Sequence, residues 1–201
     1  MNFQIFKTKC NTLEKVFIFL LSISLLFLTY RVFSSEINIL NISIYIFIVL
    51  LFLSLTFLAY FDFKKMEVHN SLSFILMISL VAINILLFLI FKNDLDIKLI
   101  GNWIYNPFNN MLGALILGSI FQLIVLMSKE KALGQGDVRV AIITGLLIGY
   151  TNILTWLYIT IFTALIYGLI LAYKKKKFKD LRIPFVPFMA LGNILILLLA
   201  L

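Results

Sequence analysis

The chain has 201 residues, 63% of them hydrophobic, and a formal net charge of +8. With a mean hydropathy of +1.10, this is far from a soluble domain, whose apolar share is roughly 45–50%. The basic residues sit in short loops between apolar runs, which excludes the basic recognition face of a nucleic-acid-binding module. A single cysteine, Cys10, excludes an intramolecular disulfide and a Cys-based zinc cluster.

In chain order, FKTKCNTLEK leads into VFIFLLSISLLFLTY, an arrangement like the start of a signal peptide. No A-x-A-like cleavage site follows, and Arg31 ends the run, so a retained first span is expected. The pattern predicts an all-α, polytopic transmembrane bundle with about seven spans. They fall near 14–30, 38–61, 71–91, 108–128, 137–150, 153–173 and 184–201. The fifth is short and requires a tight hairpin around Tyr150 and Asn152. The last carries Pro184 and Pro187 in its first turns, where missing amide donors are tolerated.

Loops on one side carry Lys7, Lys9, Lys15, Lys64, Lys65, Lys129, Lys131, Arg139, Lys174, Lys175, Lys176, Lys177, Lys179 and Arg182. The other side carries only Arg31, Lys92 and Lys98. By the positive-inside rule the first side is cytoplasmic, with the N-terminus inside and the C-terminus outside. The outer loop near 92–107 offers Trp103 and Tyr105 as interfacial anchors, and KKKKFK at 174–179 offers contact with lipid headgroups.

Two acids break the apolar pattern. Asp62 ends the second run, and Asp137 lies in LGQGDVR just before the fifth. Carboxylates at hydrophobic boundaries are costly to desolvate, so both are candidate functional residues. Two carboxylates sharing a water can hydrolyse a peptide: one, ionised, takes a proton from the water, and the other, protonated, bonds the scissile carbonyl. One His, one Cys and the absence of H-E-x-x-H leave no other full catalytic set. Gly134 and Gly136 have room for an extended substrate strand beside Asp137, on irregular backbone lining a wet cavity. Helix dipoles would make Asp137, near a helix N-terminus, the ionised base and Asp62, near a C-terminus, the protonated partner.

Bland roles suit most other polar residues. Glu67 and Glu130 could attract a basic substrate segment but more simply offset adjacent lysines, and His69 could tune the protonation of the two acids but more simply is an interfacial residue. Gln122, Asn110 and Asn193 suit interhelical hydrogen bonds, and Gly113 and Gly118 suit close helix packing.

Gly134-Gln135-Gly136-Asp137-Val138-Arg139 resembles the GxGD motif of type IV prepilin peptidases, which are membrane aspartyl proteases. Asp62 followed by Asn70 resembles their first motif, an Asp leading through a basic stretch to Ile-Pro-Asn. IPFVPFMALG at 183–192 resembles their last helix, and NNMLGALILGSI at 109–120 the helix before GxGD. The resemblance spans about 55–200. It implies Asp62 and Asp137 as the catalytic pair, with Gly134, Gly136, Lys65, Asn70, Pro184 and Pro187 binding substrate or shaping the site. It also implies prepilin or pseudopilin precursors as substrates, cut after a Gly at the cytoplasmic face of the cell membrane. No metal or other cofactor is implied.

Two departures stand out. His69 replaces the usual Pro, and the cysteine-bearing insert that accompanies N-methylation is missing, so peptidase without methyltransferase activity is expected. Residues 1–54 read as an N-terminal cytoplasmic segment, the first span and the start of the second. Residues 55–201 read as the catalytic membrane domain. The contrasting expectation is an ion-coupled carrier using both acids as proton sites, although carrier sites lie near the bilayer midplane.

Overall fold

The computed structural model describes residues 39–90, 97–98, 104–176 and 183–200, with isolated helical positions between 15 and 26. The expected first span and Trp103 lie largely or wholly outside the described residues. The fold is an all-α bundle. Its helices are α1 (Ile39–Lys65), α2 (Asn70–Ile90), α3 (Pro107–Ser128), α4 (Gln135–Ile148), α5 (Ile153–Lys175) and α6 (Val186–Ala200). A two-residue antiparallel ribbon, β1 (Ile97–Lys98) with β2 (Ile104–Tyr105), lies between α2 and α3.

Among the described residues, Asn70–Ile90, Pro107–Ser128 and Tyr150–Lys174 are long and apolar enough to cross a membrane, and Val186–Leu199 is a shorter apolar helix. Their outward faces expose large apolar side chains such as Ile75, Leu123, Leu154 and Phe162, as lipid-facing surfaces require. The protein is a helical membrane protein.

The helix ends have local causes. Asn106 caps α3, its side chain accepting the amide of Asn109 at 3.0 Å, and Pro107 follows at the first helical position. Lys129, in the left-handed region, closes the other end. Helix α1 runs a turn beyond the expected 61, to Lys65, where Met66 at φ 54 ends it. Helix α6 starts two residues later than expected. Pro184 therefore precedes the helix, and Pro187 is its second residue.

Helix α4 lies at the centre, packed against α2, α3 and α6. Its close fit to α3 is backbone on backbone. A Cβ on Gly113 would sit 2.8 Å from the Gly145 carbonyl oxygen, and one on Gly145 would collide with the main chain of Gly113 and Ala114. Gly149 at φ +71 then turns the chain through the short 3-10 segment Tyr150–Asn152 into α5. Asn109 fastens this turn to α3 by accepting the Tyr150 amide at 2.8 Å. Deeper in the bundle, Trp156 is fully buried and its indole donates to the Met189 carbonyl at 3.2 Å. Asn193 donates to Thr144 at 3.0 Å, the interhelical bond expected of it.

Candidate active site

Asp62 occupies the last turn of α1 and is 5% exposed. A carboxylate this buried needs a donor, and the donor is main chain. The amide of Val186, first residue of α6, bonds Asp62 Oδ2 at 3.0 Å. Pro184 and Pro187 flank that amide in the sequence but have no N–H of their own. The last helix therefore meets Asp62 with its N-terminus, where backbone amides and the helix dipole favour an anion.

Asp137 is the third residue of α4, and its Oδ2 accepts the amide of the N-cap residue Gly134 at 2.9 Å. This is the returning half of a capping box. Asp137 thus caps its own helix while reaching the same space as Asp62. The Gly-rich stretch is not the irregular backbone expected from the sequence. Gln135, Gly136 and Asp137 already form the first helical turn, and only Gly134 is extended. Gly136 has a packing reason, since a Cβ there would lie 2.5 Å from Cβ of Val68. Gly134 has none, its nearest neighbour being Asp137 Oδ2 at 3.8 Å.

The two acids line one open cleft of about 260 Å³. Asn70, Gly134 and Gly136 also line it, as do Met66, Glu67 and Val68 from the α1–α2 connection. Of the residues singled out in the sequence, Lys65 lies elsewhere, with its ammonium 4.7 Å from the ring centre of Phe61. Pro184 and Pro187 are buried around Val186 and do not line the cleft. Asp62 meets the main chain at the start of the last helix, with the Val186 amide on Oδ2 and the Phe185 amide also acting on the carboxylate, whereas Asp137 accepts the Gly134 amide.

Three contributors escaped the sequence. The Val186 amide lies 124 residues from Asp62, and a main-chain donor has no side-chain signature. Arg139 donates through Nη1 to Asn70 Oδ1 at 3.1 Å, to the Asn70 carbonyl at 3.3 Å and to Ser73 Oγ at 3.1 Å. That basic residue two places after Asp137 was the available signal. His69 caps α2, its Nδ1 accepting the Leu72 amide at 3.3 Å, and packs edge-on to Phe61. It does the work of a helix cap where a proline would set a turn.

A family model, that of the type IV leader peptidase family, matches residues 49–169. The chain belongs to the type IV leader peptidase family. The match includes both acids and every residue lining the cleft, from Asp62 to Asp137. No curated protein and no solved structure matches the chain. As a leader peptidase family member, the protein is a membrane-embedded peptidase. Its helical bundle brings the two boundary acids, far apart in sequence, to one water-accessible cleft.

Proposed function

We propose that this leader peptidase is an aspartyl endopeptidase in the cell membrane, with Asp62 and Asp137 as its catalytic pair. Its substrates are prepilin-like precursors whose basic leader ends in Gly before a hydrophobic helix. It cuts after that Gly at the cytoplasmic face. The carrying observation is the convergence of the two carboxylates on one open cleft. The distribution of basic residues between loops supports the cytoplasmic face. Residues 55–201 are the catalytic part, 1–54 add a cytoplasmic segment, the first span and the start of the second, and no methyltransferase activity accompanies cleavage.

Close carboxylates do not both ionise easily, so the pair works with one proton shared between them. The attacking water sits between the two carboxylates in the cleft they line. Asp137, the base, takes its proton as the water oxygen attacks the scissile carbonyl, and Asp62 donates a hydrogen bond to the carbonyl oxygen. On collapse the C–N bond breaks and the amine leaves with the proton held by Asp137. The dipole argument that favoured Asp137 as base is weaker than the sequence implied, because the Val186 amide gives Asp62 a helix N-terminus as well.

The test is cleavage of a prepilin-type precursor in membranes by the native chain and by Asp62→Asn and Asp137→Asn at matched expression. Cleavage after the leader Gly, lost in both variants, is expected. Cleavage surviving in either variant refutes the pair.

A further inference from the structure

Asn70 opens α2 and lines the cleft together with Asp62 and Asp137. Its side-chain amide has a defined orientation. A guanidinium donates hydrogen bonds and accepts none, so the amide turns its oxygen toward Arg139 Nη1, 3.1 Å away. The NH₂ group then points the other way. Asn70 is exposed, so its NH₂, which has no acceptor among the described residues, is open to water or a bound substrate, while Oδ1 and the main-chain oxygen of the same residue are held by Arg139. Arg139 is itself tied to Ser73 on the next turn of α2, which fixes the clamp at a second point.

Peptide hydrolysis needs such a donor. As water attacks, the carbonyl electron pair moves onto oxygen, and negative charge grows in a cleft that already contains two acids. The proton of Asp62 meets one side of that oxygen. A neutral N–H donor held in place before the reaction stabilises the rest without adding a competing charge.

On the reading that this site hydrolyses peptides, we propose that Asn70 is a catalytic residue, its Nδ2 donating to the scissile carbonyl oxygen as that oxygen becomes an oxyanion. Arg139 is a positioning residue that keeps the amide from turning over. The proton balance of the two acids is unchanged: Asn70 lends a hydrogen bond and transfers nothing.

The test uses the purified full chain in lipid nanodiscs and a peptide carrying a basic leader, Gly and the first turns of a hydrophobic helix. Asn70→Asp keeps the oxygen that Arg139 holds and deletes both N–H donors, and Asn70→Ala deletes oxygen and donors together. Both variants are expected to lower kcat by about 10²–10³-fold, with KM within about threefold, the pattern of a contact made in the transition state. Asn70→Asp is expected to keep the native unfolding temperature, because the clamp remains. Arg139→Met frees the amide to rotate and is expected to lose part of kcat, about tenfold. Native kcat in either Asn70 variant overturns the donor role, and so does a loss confined to KM. A loss in Asn70→Asp alone would mark an effect of added charge and overturn it too. If the native chain cleaves but Asn70 variants keep pace, only this role fails. If the native chain does not cleave, the peptidase reading fails and this role with it.

Discussion

Replacing Val186 with proline removes the amide hydrogen that Asp62 accepts, and it also reshapes a fully buried side chain, which Val186→Ala controls for. Val186 is the first residue of α6, the helical position where proline is most readily accepted. Phe185, before it, is outside the helix, as a residue preceding proline prefers. The lost group is the amide bonded to Asp62 Oδ2 at 3.0 Å. Hydrogen bonds to charged groups contribute roughly 1.5–3 kcal/mol. Asp62 is 5% exposed and Val186 0%, so water does not readily replace the donor, and about 2 kcal/mol is expected. At 1.36 kcal/mol per pH unit this is a displacement of about 1.5 units.

The direction follows from which protonation state the amide favours. It stabilises ionised Asp62, so its loss makes that carboxyl hold its proton more tightly. With Asp62 as the protonated partner, the active form survives to higher pH, and the alkaline limb of the kcat/KM profile moves up. The assay is peptide cleavage between pH 4 and 10 by the native chain, Val186→Pro and Val186→Ala, the last retaining the amide. Movement of the acid limb instead would make Asp62 the base and reverse the assignment. Val186→Pro superimposing on Val186→Ala at every pH would refute the reasoning.

The other expectations concern packing around the site. Gly145→Ala places a Cβ against the main chain of Gly113 and Ala114, which cannot yield as a side-chain tip can, and should cost about 1–3 kcal/mol in thermal unfolding. Gly136→Ala should displace Val68 and lower cleavage, with partial recovery when Val68→Gly is added; no recovery would show that the glycine matters for another reason. Gly134→Ala, by contrast, should cost no more than about 1 kcal/mol, since its new methyl meets only ordinary contacts and what is lost is the N-cap preference for glycine over alanine. His69→Ala should destabilise by about 0.5–2 kcal/mol through loss of the α2 cap, and His69→Asn, another good cap, should recover most of it.

Hydropathy located the long described helices because a bilayer imposes length and apolarity on each span independently. The ends of α2 and α3 fall within a residue of expectation. The acids were legible for the same reason, as charges that a hydrophobic boundary rarely tolerates without use. What connects them was not. The bond from Val186 to Asp62 depends on how α6 lies against α1, and the Arg139 clamp joins residues 69 positions apart. Neither geometry leaves a local periodicity. The glycines divided in an instructive way. Gly113 was read correctly as a close approach, but its partner Gly145 sits in a helix whose sequence gave no sign of the contact. The GxGD glycines suit a place for substrate main chain, and both line the cleft, but Gly136 has a second reason that only the packing shows, the close approach of Val68.

The shortness of α4 sets a depth. Fourteen residues at 1.5 Å each reach about 21 Å, against roughly 30 Å of hydrocarbon in an ordinary bilayer. Its longer neighbours enclose it, so the shortfall is lined by protein at whichever end it falls. If it falls at the end that carries Asp137, the cleft is a well sunk below the surrounding lipid headgroups. A peptide bond delivered there has to leave the surface and descend several ångströms. On the proposed function, a precursor whose helix stayed wound up to the headgroup level would then stop short of the acids, and a substrate would be selected by how easily its first turn pulls open as well as by its residues.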